Sequence, residues 1–288
     1  MHTVELSAGT IEYDASGPDD GRAVVFVHGY AMGASLWRPL ADRLAEHNLR
    51  CYAPTWPLGA HRRAMRPSAE LTMRGVAAMV AEFLTALDLD DVVLVGNDTG
   101  GAIAQIVAGE FGDRVGALVL TSCDAFEHFP PPILAPVITA TRVPAVFRAA
   151  LKTMGTKIGR RRAYGALSHG DLDGLTAEWT RQLVRDGDIA EDLRRFTASL
   201  RRQDTLDAAA GLPRFTKPAL IAWSADDVFF DQEDGRRLAR VLPDARLEII
   251  DNARTFSMLD QPDVLAGLIV EFVTASPDFS RSVVIFGV

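Results

Sequence analysis

Between Val92 and Gly101 the chain reads VVLVGNDTGG, an apolar run that stops at Gly-x-Asp-x-Gly and passes into a stretch of helical period. A strand that turns directly into a helix needs small residues beside the turn, because bulky side chains at Gly96 and Gly100 would collide with neighbouring backbone. The residue at the tip, Asp98, then projects above the sheet. The next N–H, that of Thr99, points into the same space at a helix N-terminus, which suits a carboxylate or an oxyanion. Upstream, Val25 to Tyr30 reads VFVHGY, and a His-Gly pair at a strand end lets the loop turn tightly. That turn offers the N–H of Tyr30 as a second donor, with His28 and Gly29 beside it. A carboxylate so held attacks carbon by nucleophilic substitution and forms an alkyl-enzyme ester, which water must then cleave.

The two motifs together, at this separation and in this order, resemble the α/β-hydrolase family over residues 3 to 276. Within that family an aspartate at the position of Asp98 marks the haloalkane dehalogenases and epoxide hydrolases, where most relatives carry a serine. The resemblance implies a further acid just after the strand that ends at Trp223. Asp227 is favoured, with Asp226 close behind and Asp124, after the Ala117 to Thr121 strand, as a third candidate. It also implies a histidine in the loop after the last strand. In Ile249 to Pro262 (IIDNARTFSMLDQP) Thr255 holds that position, and no histidine follows His169. Threonine is no general base near neutral pH, and losing such a base typically costs a factor of about 10² to 10⁴. His61, in the WPLGAH stretch that begins at Trp56, and His128, beyond Asp124, lie in loops expected at the carboxyl ends of parallel strands, where ligands bind. They are the candidates for a relocated base. His28, Gly29, Tyr30, Trp56, Thr99, Asp124 and Thr255 are the candidate substrate contacts. Neither subfamily pattern is complete. Thr99 stands where dehalogenases usually carry tryptophan, Ala31 where epoxide hydrolases usually carry proline, and Tyr164 is the only tyrosine of the expected lid.

The expectation is a hydrolase acting through Asp98 on a small apolar alkyl halide or epoxide. The alternatives are a lyase, cyclase or isomerase in the same pocket with Asp98 moving a proton, or a ligand-binding relative that lost turnover.

The elements that must position these residues are legible as alternation. Short continuous apolar runs (23–27, 92–95, 117–120, 219–223 and 246–250) read as strands covered on both faces. Helical stretches at 35–46, 72–87, 101–111, 232–241 and after Pro262 separate them, which predicts a mainly parallel sheet with helices on both sides. Residues 3–7 and 10–15, split by Gly9, predict an edge hairpin. The alternation breaks between about Pro130 and Arg214, where helices are expected at 148–157, 178–185 and 190–202. The predicted organisation is therefore an α/β-hydrolase core of residues 1–129 and 215–276, a helical lid of residues 130–214 inserted in it, and an apolar tail of residues 277–288.

Composition narrows the rest. The chain has 288 residues, 48% of them hydrophobic, enough for one large core with an insertion. Its formal net charge of −8 argues against nucleic acid or an anionic membrane as partner. The Arg160-Arg161-Arg162 cluster reads as a solvated helix face. Cys51 and Cys123 form no metal-ligand or redox spacing and read as buried thiols. No basic segment followed by an apolar run opens the chain, and no apolar run reaches membrane-spanning length, so a cytoplasmic protein is expected. With no HExxH, Cys/His cluster, P-loop or GxGxxG after the first long strand, no metal or organic cofactor is expected; the expected partner is a small apolar molecule.

Overall fold

The computed structural model describes residues 1–275. The apolar tail proposed from the sequence lies outside them.

Eight strands form one sheet: β1 (His2–Leu6), β2 (Gly9–Ser16), β3 (Arg22–Val27), β4 (Leu49–Thr55), β5 (Val92–Asp98), β6 (Val115–Cys123), β7 (Ala219–Ser224) and β8 (Ala245–Ile250). Their order is β1-β2-β4-β3-β5-β6-β7-β8. The first two strands are the expected edge hairpin, antiparallel to each other, and β2 is antiparallel to β4. All remaining pairs are parallel. The central strands β3, β5, β6 and β7 are buried almost throughout, as two-sided coverage requires.

Helices α1 (Arg38–Ala45), α2 (Met73–Ala86) and α3 (Thr99–Glu110) connect the early strands. Thr72 caps α2, its hydroxyl accepting the Gly75 N–H at 2.9 Å. Between β6 and β7 come only helices: α4 (Ala135–Ala140), α5 (Pro144–Thr153), α6 (Lys157–Tyr164), α7 (Asp173–Arg185), α8 (Gly187–Ser199) and α9 (Arg202–Gly211). Then α10 (Gln232–Val241) joins β7 to β8, and α11 (Ser257–Asp260) and α12 (Pro262–Ala275) follow β8.

Three details depart from the sequence reading. The helix expected over 148–157 is two helices, because Thr156 stops one and caps the next by accepting the Gly159 N–H at 3.0 Å. The Arg160 to Arg162 cluster is not a uniformly solvated face: Arg160 is largely buried and reaches Asp173 at 2.6 Å. Strand β6 runs on to Cys123 rather than stopping at Leu120, through a register shift against β5 that pairs Asp98 with Cys123. That extension sets Asp124 beside Asp98.

The order of the sheet explains where a site can form. From β3 the chain goes to β4 on one side and then returns to β5 on the other. The loops leaving β3 and β5 therefore diverge and open a crevice at their carboxyl ends. His28-Gly29-Tyr30 leaves β3 there, and Asp98 closes β5.

Candidate active site

Asp98 takes φ 55° and ψ −136°, a left-handed backbone that costs a non-glycine residue about 1–3 kcal/mol. The surroundings enforce it. A Cβ on Gly100 would lie 2.2 Å from the Val27 carbonyl oxygen, and one on Gly29 would lie 2.0 Å from Asp98 Oδ1. Both glycines let backbone and carboxylate approach closer than any side chain permits. The result is a carboxylate held by two backbone donors: Asp98 Oδ1 accepts the Tyr30 N–H at 3.0 Å and the Thr99 N–H at 2.7 Å. Those are the two donors the sequence singles out.

A second carboxylate stands against the first. Asp124 is almost wholly buried, and its Oδ2 accepts the Thr99 hydroxyl at 2.9 Å. Gln105 fixes its backbone by donating to the carbonyl oxygen at 3.0 Å. Burial pushes the Asp98 carboxyl up, its two backbone donors pull it back down, and the charge of Asp227 pushes it up again. Burial and then the charge of Asp98 push Asp124 well above the usual carboxylate range.

Asp227 turns inward while Asp226 turns out. Asp227 Oδ1 accepts the N–H groups of Phe229 and Phe230 at 2.8 and 3.1 Å and the Thr255 hydroxyl at 3.1 Å. Its Oδ2 is buried with no hydrogen-bond partner among the described residues. Burial raises this carboxyl too. Asp226 instead meets His169 Nε2 at 3.0 Å in an exposed pair. Thr255 is fully buried, and its carbonyl accepts the Asn97 side-chain amide at 2.8 Å. The same amide nitrogen reaches Thr121 Oγ1 at 3.0 Å and the Ser122 carbonyl at 3.1 Å. Asn97 thus ties the loop after β8 to the centre of the sheet. The sequence reading passed over it, although its place as the variable residue of Gly-x-Asp put it beside the turn.

The other candidates occupy structural roles. His28 Nε2 accepts the Trp56 N–H at 2.9 Å, so Nδ1 carries the proton and donates to the Gly29 carbonyl at 3.0 Å. Burial lowers its pKa to about 4, which keeps the ring neutral. Trp56 is buried and donates its indole N–H to the Phe26 carbonyl at 3.0 Å. His61 is buried between the Gly59 N–H and Asp192, whose Oδ2 lies 3.2 Å from Nε2. His128 is exposed and paired with Asp234 at 2.7 Å, a contact that raises its pKa. Neither His61 nor His128 lines the cavity described next.

A cavity of about 520 Å³ opens above Asp98, Thr99 and Asp124. Its roof comes from the inserted helices and the loop before them, with Leu134, Val137, Leu151, Met154 and Leu167 among the contributors, and Phe229 and Phe230 close one side. Tyr30 and Tyr164 also face it, but the Tyr30 hydroxyl bonds Thr197 at 2.6 Å and that of Tyr164 donates to the Ala31 carbonyl at 2.7 Å. Arg162 is its one cationic lining residue among those described. Among the described residues no histidine lines it, and no group of three or more potential metal ligands is found. No described helix is long and apolar enough to cross a membrane. Both cysteines are buried free thiols, as expected from the sequence.

Known proteins resemble the chain along most of its length. A non-heme chloroperoxidase of Streptomyces lividans is 29% identical, covering 95% of this chain and 99% of its own. Haloalkane dehalogenase 2 of Mycobacterium tuberculosis is 28% identical over 93% of this chain and 92% of its own. Among solved structures, an ancestral haloalkane dehalogenase superposes with TM-score 0.77 at 20% identity, over 96% of this chain and 100% of its own. The epoxide hydrolase CorEH superposes with TM-score 0.77 at 19% identity, over 95% of this chain and 98% of its own; at such identities the structural likeness bears on fold alone. Residues 22–262 match the family described as alpha/beta hydrolase fold, the stretch that carries both turns, strands β3 to β8 and the inserted helices, and the chain therefore belongs to the α/β-hydrolase family.

Proposed function

We propose that this protein is a hydrolase-type enzyme in which Asp98 attacks a small apolar electrophile, an alkyl halide or an epoxide, and carries the alkyl group as an ester. The observation that supports this most is the fixing of Asp98 Oδ1 by two backbone N–H groups beneath an apolar cavity. Those donors act as an oxyanion hole: they hold the carboxylate before attack and receive the charge that develops on Oδ1 when water adds to the ester. The second oxygen, Oδ2, is left to attack. The inserted helices act as the lid that keeps bulk water from the reacting atoms. Thr255 lies where the resemblance implies a histidine, and the histidines considered as replacements are held elsewhere. Ester cleavage is accordingly the slow half of the reaction.

Intact-protein mass spectrometry after exposure to hexyl bromide or styrene oxide tests this reading. An adduct mapping to Asp98, or steady release of bromide or diol, is expected from the native chain and not from Asp98→Asn. Turnover that survives Asp98→Asn unchanged would end it. A second reading, a ligand-binding relative without turnover, is favoured by the lack of a histidine at the cavity among the described residues. It predicts tight binding of apolar ligands with neither adduct nor product.

A further inference from the structure

The reading of Asp98 as nucleophile leaves two protons unassigned: the one an opened epoxide needs and the one an attacking water must lose. Among the described residues the cavity holds no ordinary source for either. Both lining tyrosines spend their hydroxyl protons: Tyr164 donates to the Ala31 carbonyl, and Tyr30 to Thr197, whose own hydroxyl donates to the Leu193 carbonyl at 2.6 Å. The indole N–H groups of Trp56, Trp179 and Trp223 are bonded to Phe26, Ser35 and Phe230, at 3.0, 2.9 and 3.1 Å, and no tryptophan lines the cavity. A departing halide would therefore meet no indole donor.

Resting on that reading, we infer that Asp124 is the proton donor and acceptor of both half-reactions, and that the substrate is an epoxide rather than an alkyl halide. Asp124 lines the same cavity as Asp98, and Thr99 joins the two, its N–H donating to Asp98 and its hydroxyl to Asp124. The hydrogen bond its carboxylate accepts from a described residue falls on Oδ2 and leaves Oδ1 open. The Asp124 N–H donates to the Asp98 backbone carbonyl at 3.3 Å, and two buried carboxylates on adjacent backbone facing one cavity hold one proton between them. Two backbone N–H groups favour the anion on Asp98, whereas Asp124 has a single hydroxyl donor, so the proton resides on Asp124. Because Thr99 donates to Oδ2, that proton sits on Oδ1.

The steps balance. Asp98 Oδ2 forms a bond to an epoxide carbon, the carbon–oxygen bond of the ring breaks, and the epoxide oxygen keeps the electron pair and takes the proton of Asp124. Esterification removes the charge of Asp98 that held Asp124 neutral, so Asp124 is now a carboxylate with no anionic nucleophile beside it. It takes a proton from water as the hydroxide adds to Cγ of Asp98, with the new charge on Oδ1 against Tyr30 and Thr99. Collapse expels the diol oxygen, which takes the proton of the added hydroxyl. Asp98 is again ionised and Asp124 again protonated.

The test compares Asp124→Asn with the native chain, using styrene oxide and hexyl bromide and following the Asp98 adduct by mass. Loss of a general acid is expected to slow epoxide opening by about 10² to 10⁴. Alkylation by the bromide, whose leaving group needs no proton, changes by less than about tenfold, and its ester persists longer than in the native chain. Epoxide opening at the native rate, or an ester cleaved as fast as before, would overturn the role of Asp124 while leaving Asp98 as nucleophile. No adduct or product from the native chain with either probe would overturn both. Should Asp124→Asn fail to fold, the native chain still decides. The titratable groups around Asp124 are Asp98, Cys123 and Asp234, the last facing His128 and Arg237. On the alkaline side, single-turnover alkylation by styrene oxide is expected to fall as Asp124 ionises while that by hexyl bromide holds level; parallel profiles would overturn the inference.

Discussion

Thr255→His restores the residue that the resemblance implies, and its consequences can be worked from the contacts at that position. The native threonine hydroxyl donates to Asp227 Oδ1 at 3.1 Å, an oxygen that already receives two backbone N–H groups. The other oxygen, Oδ2, is buried without a partner among the described residues. An imidazole N–H directed at Oδ2 would end that deficit, which costs about 1–3 kcal/mol in a buried group. Against it stands the larger ring in a fully buried site, where overpacking costs about 1–3 kcal/mol. The two nearly offset, so stability should move by no more than about 2 kcal/mol, or roughly 3 °C in Tm for a chain of 288 residues. The chemical gain is larger. A base oriented by Asp227 and aimed at water beside the Asp98 ester is worth at most about 10² to 10⁴ in ester cleavage, or about 3–5 kcal/mol, less the part that Asp124 already supplies. The assay is the decay of the Asp98 adduct after excess hexyl bromide is removed, read by intact mass. Adding Asp227→Asn to Thr255→His should return the lifetime toward that of the native chain. A folded Thr255→His protein with an unchanged ester lifetime would refute the reasoning, because Asp227 would then not be placed to orient a base.

Other expectations follow from the same contacts. Gly29→Ala drives a Cβ into the Asp98 carboxylate, so adduct formation should fall by at least about tenfold while circular dichroism stays native. Gly100→Ala instead meets the Val27 carbonyl, and should lower the urea midpoint by an amount equivalent to about 1–3 kcal/mol or more. Asp98 has a folded pKa raised above its unfolded value, so its contribution to stability declines as pH rises through that interval. Asp98→Asn should therefore gain in Tm over the native chain as pH increases; a gain that shrinks with pH would contradict the burial argument. His28 has the opposite sign: with its folded pKa at about 4 against 6.5, the unfolded chain binds the proton first, and about 3 kcal/mol should be lost between pH 7 and pH 4. His28→Gln should remove much of that acid sensitivity in denaturant titrations. His128→Gln, at an exposed pair away from the cavity, should leave ester lifetime unchanged.

The sheet and its two chemical turns were legible because their signals are local. A continuous apolar run followed by Gly-x-Asp-x-Gly needs no partner to be recognised: strand burial and steric demand at the turn are properties of adjacent residues. The same holds for VFVHGY, and the structure sets both donor N–H groups on Asp98 as those two segments suggest. The inserted helices were legible as helices but not in their breaks, since Thr156 can cap one helix only by ending another.

The histidines show where local reading stops. His61 and His128 each follow a strand that ends on the site side of the sheet, yet one turns to Asp192 on α8 and the other to Asp234 on α10. These partners lie 131 and 106 residues away in the chain, and no spacing rule anticipates them. Likewise, which of Asp226 and Asp227 faces inward depended on Thr255 and on the turn at Phe229 and Phe230. Adjacent residues thus determined the strand, the turn and the carboxylate at its tip, because sterics and burial act over a few bonds. Only the packed chain decided that Asp124 shares the cavity with Asp98 and that the replacement histidines do not. Those positions follow from the register of β6 on β5 and from the helices laid across the sheet, and both are set by contacts between segments far apart in sequence.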